Sequence, residues 1–301
     1  MQEVTVDELI SSGVINLDKP RGPTSHEVTA WVRQMLGIKK TGHTGTLDPH
    51  VSGVLPIALG RATSAIQAMH IAPKEYVFVL RFHAKVDGSV TEEVFSNFKG
   101  EIVQLPPVRA AVARRERTRT IHELEVLESE ERDHLIRVRC DAGTYIRTLC
   151  KDMGLASGAG ANMRELRRTA AGGFKEKDSI TLHDLSNALY AWREGKDEGP
   201  IRKAILPLST LFTHLKKVVI KDSAIDAICH GAQVMVPGAE KVDPRIKKGE
   251  HVAVVTRKDE IVALAITLMD ERHLETLRKG VFARVLRVHM TRGTYPRGWR
   301  S

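Results

Sequence analysis

The chain has 301 residues, of which 42% are hydrophobic and 28% charged, a globular composition that excludes collagen-like, fibrous and disordered chains. Single cores stop growing near roughly 250 to 300 residues, so two domains are expected. The net charge of +9 favours a polyanionic partner, nucleic acid first, while 5% aromatic residues argue against a surface that stacks bases in a row.

The three cysteines, Cys140, Cys150 and Cys229, form no C-x-x-C pair, which leaves neither a disulfide framework nor a cysteine zinc site and points to a reducing compartment. No apolar run approaches the roughly 18 residues of a membrane span, and the start MQEVTVDELI lacks the layout of a secretory signal. A soluble intracellular protein is expected.

Thr24 and Glu27 fit a capping box, after which Val28, Trp31, Val32, Met35 and Leu36 recur at helical spacing, so a helix is predicted over 25–36 and ended by Gly37. Residues 76–82 and 135–140 read as strands, the second half-buried. Further helices are predicted after Gly143, through Tyr145 to Leu155, and over 183–192. The segment WREGKDEGPIRKAILP marks a connection, with the boundary near Pro207. Beyond it, short β-rich runs at 218–220, 251–255, 261–266 and 281–288 suit a small β-barrel. The division expected is 1–210, 211–295 and a tail at 296–301. Charge follows it: residues 1–210 hold 29 basic and 27 acidic side chains, and 211–301 hold 17 and 10.

The densest punctuation is Gly42-His43-Thr44-Gly45-Thr46-Leu47-Asp48-Pro49, followed by Gly53, Leu55 and Pro56. Its glycines permit close backbone approach, and Asp48 before Pro49 is pushed to an extended or turn conformation, so the loop can fix one carboxylate. From local chemistry alone Asp48 also suits a turn cap. A phosphate-binding P-loop is excluded, because the Gly-Lys-Ser/Thr ending is missing.

This block resembles the G-H-T-G-T-L-D-P signature of TruB-type pseudouridine synthases. The resemblance continues through Leu17-Asp18-Lys19-Pro20, Lys74-Glu75-Tyr76, Gly143-Thr144-Tyr145-Ile146-Arg147-Thr148-Leu149 and Glu165-Leu166-Arg167-Arg168-Thr169. Residues 105–127, with Arg117, Arg119, Thr120 and Ile121, look like the dyskerin branch, and Gly231-Ala232-Gln233-Val234 with Pro237-Gly238 resembles a PUA domain. The fold implied is α+β: a catalytic domain with a mainly antiparallel mixed sheet flanked by helices, then a small barrel-like PUA domain. It leaves room for the extreme N-terminus to pack on that domain.

The chemistry implied breaks the N1–C1′ bond of uridine and rejoins C5 to C1′, which requires no cofactor. By resemblance Asp48 is the catalytic residue, as nucleophile at C1′ or base at C2′, both of which remain open. It is expected in a partly desolvated pocket beside Arg147, whose guanidinium favours the ionised form. Tyr145, two positions earlier, shares access with Arg147 only at a strand end or turn, since helical residues two apart diverge by about 200°. It is the candidate proton-transfer partner. Tyr76 and Leu166 would hold the flipped uracil, His43 would contact RNA or fill a vacated space, and Lys19 would support the loop.

The run Arg109, Arg114, Arg115, Arg117 and Arg119 would track phosphates or a protein partner. The resemblance further implies an H/ACA guide RNA, a target RNA and three small proteins: a zinc-bearing one, a β-barrel one near the site, and a kink-turn binder. No metal and no membrane is implied for this chain. The location expected is cytoplasmic for an archaeal-type protein and nucleolar for a eukaryotic one. Two other functions fit the residues: a stand-alone tRNA pseudouridine synthase, and a non-catalytic RNA-binding assembly subunit.

Overall fold

The computed structural model describes residues 4–106, 115–274 and 276–296. Arg109 and Arg114 of the arginine run, and the tail beyond residue 296, lie outside them. The first unit opens with α1 (Val6–Ser12), β1 (Val14–Lys19), α2 (Ser25–Leu36), β2 (Thr41–His43) and β3 (Ser52–Leu59). It continues through α3 (Ile66–His70), β4 (Lys74–Phe82), α4 (Gly88–Asn97), β5 (Gly100–Gln104), β6 (Arg117–Glu130) and β7 (Asp133–Cys140). It closes with α5 (Ile146–Ala156), β8 (Ala161–Ala171), β9 (Phe174–Lys175), α6 (Leu182–Arg193) and α7 (Gly199–Ala204).

Local chemistry accounts for several of these ends. α2 carries the expected capping box, Thr24 with Glu27, and stops at Gly37 in the left-handed region at φ 67°. Capping boxes also start α1, at Thr5 and Glu8, and α6, at Thr181 and Asp184. The strands pair in the order β1-β3-β8-β4-β7-β6-β5, with β2 added to β3 and β9 to β8. The pairing is antiparallel except between β3 and β8, which run parallel for the short stretch Ser52 to Arg167 and Gly53 to Arg168.

Two apolar clusters fill this unit. One joins α2 and α6 to β1 and β3, with Val28, Val32, Leu17 and Leu55 fully buried. The other joins α4 and α5 to the far half of the sheet, around Phe78, Phe82, Leu149 and Met153. Tyr76 and Leu166 pack against both, so they form the floor where the cores meet.

The second unit comprises β10 (Lys216–Ile220), α8 (Asp222–Cys229), β11 (Val234–Met235), β12 (Ala239–Val242), β13 (His251–Val255), β14 (Ile261–Thr267) and β15 (Val281–Val288). These strands make a six-stranded, barrel-like sheet in the order β11-β15-β14-β13-β10-β12. The units are not merely tethered. Ala253, Val255 and Leu264 share a buried cluster with Val14, Phe174, Leu211 and Phe212, and Ser64 Oγ lies 3.2 Å from His289 Nδ1.

The extreme N-terminus, residues 1–3, lies outside the described residues, and α1 follows it. Val6 and Ile10 bury against Ile201, Ala204 and Ile205, because α7 offers an apolar face beside β1. No helix among the described residues is long and apolar enough to cross a membrane.

Candidate active site

Asp48 sits on the loop between β2 and β3, and the backbone on both of its sides is tied down. Ser25, fully buried at the start of α2, accepts from Leu47 N at 2.8 Å and donates to Leu47 O at 2.9 Å. Lys19, also fully buried, donates to Pro20 O and Val51 O at 2.8 Å and to Pro49 O at 3.3 Å. An ammonium taken out of water needs such partners, and burial lowers the Lys19 pKa while the nearby Asp48 charge opposes that shift. Lys19 therefore supports the loop by holding three carbonyls and does not enter the cleft.

A second clamp comes from β8. Arg168 is 2% exposed, and its guanidinium donates to Val54 O at 2.7 Å and Gly45 O at 3.1 Å. Gly53 permits this arrangement: its φ is +108°, and a Cβ there would stand 2.2 Å from Arg168 O. The parallel contact between β3 and β8 can form only with glycine at that point.

Arg147 reaches Asp48 from the first turn of α5 and donates to its carboxylate. Tyr145 is the residue immediately before that helix, with extended backbone at φ −98° and ψ 103°, so the helix expected to run through Tyr145 begins one residue later, at Ile146. Its main chain is fixed by Gln104, whose amide accepts from Tyr145 N at 2.9 Å and donates to Tyr145 O at 3.1 Å. Tyr76 and Leu166 lie half-buried on the floor below, and burial raises the Tyr76 phenol pKa against the influence of the Arg168 guanidinium.

One expectation changes. The Asp48 side chain is 54% exposed and that of Arg147 62%, so the carboxylate is not desolvated by the protein. Among the described residues nothing closes over the Asp48 carboxylate, and a bound substrate there would itself displace water. Three arginines of the run at 109–119 are described. Arg115 is exposed, Arg117 and Arg119 are half-buried on β6, and Arg119 donates to Thr118 O beside the Gly143 turn.

His43, on β2, flanks the loop with its ring edge-on to His26 at 4.9 Å. Burial, followed by the charges of His26, Arg168 and His70, pushes its pKa down to about 4, so at neutral pH it is an uncharged imidazole. Ser25, Gln104 and Arg168 were not foreseen as site residues. Arg168 stood in a noted sequence block, but its partners, Gly45 and Val54, are more than a hundred positions away.

Comparison with known proteins is consistent along the chain. Four family profiles match in order: the DKCLD (NUC011) domain over residues 3–29, the N-terminal domain of TruB family pseudouridylate synthase over 33–91, the C-terminal domain of tRNA pseudouridylate synthase B over 147–213, and the PUA domain over 216–289. The probable tRNA pseudouridine synthase B of Methanocaldococcus jannaschii is 52% identical over 99% of this chain and 89% of its own. That of Pyrococcus furiosus is 51% identical over 96% and 86%. A chain in the crystal structure of a Cbf5-Nop10-Gar1 complex superposes with a TM-score of 0.92 at 50% identity, covering 97% of this chain and 89% of that one. One in an H/ACA RNP bound to a substrate RNA containing 2'-deoxyuridine gives 0.87 at 48%, covering 98% and 90%. The chain belongs to the TruB family of pseudouridine synthases, in its dyskerin branch, and is an enzyme of that class.

Proposed function

We propose that this synthase converts uridine to pseudouridine in rRNA, with tRNA as a further substrate, as the catalytic subunit of a guide-RNA-directed H/ACA ribonucleoprotein. The observation that carries the reading is the contrast at Asp48, whose neighbours are immobilised by Ser25 and Lys19 while its carboxylate faces open solvent beside Arg147. A group pre-set in position but uncovered suits a substrate that completes the pocket itself.

In this mechanism a flipped uracil lies on Tyr76 with Leu166 at its side, and Asp48, oriented by Arg147, acts at C1′ as nucleophile or at C2′ as base. The N1–C1′ bond breaks, the base turns within the cleft, and C5 joins C1′. The proton on C5 leaves and N1 gains one, so the product is an isomer and the reaction balances without a cofactor. Tyr145 moves the proton at the base. Arg115, Arg117 and Arg119 follow RNA phosphates, and the basic second unit grips the guide.

Similar solved chains sit in complexes with Nop10 and Gar1 and with substrate RNA, which supports the three small partners that the resemblance implies, a zinc-bearing one, a β-barrel one and a kink-turn binder on the guide, as completing the particle. A cytoplasmic location is supported by the archaeal sources of the curated relatives. Those relatives are named probable tRNA pseudouridine synthase B, which favours a second reading, direct action on a tRNA arm.

The test uses RNA tritiated at uridine C5 and measures tritium released to water, with and without guide RNA and partners. Robust release from a guided target only when guide is present is expected. Equal release from that target without guide would overturn the guided reading.

A further inference from the structure

Of the 301 residues 37 are acidic, yet from Val28 to Lys74 the only one is Asp48. The same stretch supplies the exposed cations Arg33, Lys39, Lys40 and Arg61. A stretch of chain that carries no other acid is suited to a polyanion, since each acid in it would repel one.

Residues of this stretch on α2 and β2 face a cavity of about 370 Å³ between the two elements, which His26, just before the stretch, completes. One wall is a single stripe of α2, His26, Thr29, Ala30 and Arg33, at the spacing that aligns side chains on one helix face, and the other is β2 from Thr41 to His43. Thr41 Oγ1 donates to Thr29 O at 3.2 Å and ties the walls together.

The two ends differ in chemistry. At the inner end, five residues before Asp48, the buried Nδ1 of His43 has no partner among the described residues. A neutral imidazole offers one donor and one acceptor, which fits a base edge or a ribose hydroxyl better than a phosphate. Arg33 stands seven residues beyond His26, about 10 Å along the helix, and Lys39 and Lys40 follow on the turn leading into β2. That outer end carries positive charge with no acid nearby in sequence.

We propose that this groove seats the nucleotide adjoining the target uridine, its base or ribose against His26 and His43 and the phosphates beyond it on Arg33, Lys39 and Lys40. This deepens the functional reading above and rests on it, because it takes the substrate to be RNA.

The test is the full-length triple variant Arg33→Gln, Lys39→Gln, Lys40→Gln, with a matched triple, Lys99→Gln, Lys196→Gln, Lys203→Gln, as comparison. Target-RNA binding is measured between 50 and 200 mM salt in an Asp48→Asn background, which blocks turnover. Removing three single-strand phosphate contacts is expected to make the slope of log affinity against log salt shallower by about 2 and to weaken binding about tenfold at low salt. A slope unchanged in the groove triple, with the parent releasing tritium from the same RNA, overturns the groove and leaves the enzyme reading standing. An equal change in the matched triple also overturns it, as does selective loss of an acidic protein's binding with RNA affinity intact. No tritium release by the parent overturns the functional reading and the groove with it.

Discussion

The guanidinium of Arg147, in the first turn of α5, donates to the carboxylate of Asp48 at the tip of the loop before β3. The pair bridges the two apolar cores of the catalytic unit, yet both side chains are more than half exposed. An ion pair so open to water adds little stability, so its value is in fixing where the carboxylate points. Arg147→Met is therefore expected to change unfolding stability by less than about 1 kcal/mol. It should slow single-turnover tritium release by about 10² to 10³, the scale for losing one positioned charged donor. Asp48→Asn should cost about 10⁴ or more. A near-normal rate for Asp48→Asn would remove that residue from the mechanism.

The buried clamp behaves in the opposite way. Arg168 satisfies Val54 O and Gly45 O from a position almost closed to solvent. Arg168→Met strands both acceptors, each worth roughly 1 to 3 kcal/mol when left unpaired and buried, so the urea midpoint should fall clearly. Gly53→Ala should fall comparably, by about 2 kcal/mol or more, because it adds positive-φ strain to a Cβ placed 2.2 Å from a backbone oxygen. A Gly53→Ala protein with the parent's midpoint would mean that β3 and β8 separate more easily than their pairing implies.

The seam between the units sets an acid limit. Burial pushes His214 and His289 down to about 4, with Lys74 adding to the effect on His214 and Arg287 to that on His289. His43 is held as low, beside the active loop. Between about pH 6.5 and 4 the unfolded chain binds protons at these rings while the folded chain does not, so stability rises with pH across that window and is lost as pH falls. Each group contributes a slope of up to about 1.4 kcal/mol per pH unit. His289→Phe, which keeps a ring against Phe212, should shrink the difference in urea midpoint between pH 7.5 and pH 5. An undiminished difference would show that His289 takes up its proton in the folded state as readily as in the unfolded one.

What could be read from sequence was what neighbours in sequence determine. The helix from Ser25 to Leu36 was legible because Thr24, Glu27 and Gly37 act within four residues of its ends. The helix after Gly143 was legible as well, apart from its first residue, since Tyr145 is held outside it by a contact with the distant Gln104. Ser25, Gln104 and Arg168 were not, since each works through a partner brought close only by sheet pairing or by packing of a helix on a loop. The seam was hidden for the same reason: Ala253, Val255 and Leu264 read as ordinary interior strand positions, and nothing local says that they face another unit. The exposure of Asp48 depends on what fails to cover it, which a motif does not record.

Gln104 offers a test in which pH reports on a single hydrogen bond. Its buried amide both accepts from Tyr145 N and donates to Tyr145 O. Gln104→Leu loses both contacts and should cost about 1 to 3 kcal/mol while slowing catalysis through a loosened Tyr145. Gln104→Glu keeps the shape, but as a carboxylate it can only accept, and it meets the Tyr145 carbonyl oxygen with like charge. Burial and that oxygen would raise the new carboxyl above the usual value of about 4.3, because both disfavour the anion. Once protonated it donates again. The rate of Gln104→Glu relative to the parent, measured by single-turnover tritium release, should therefore rise as pH falls from 7.5 toward 5.5, and a ratio flat across that range would show that the contact to Tyr145 O does not govern the position of the tyrosine.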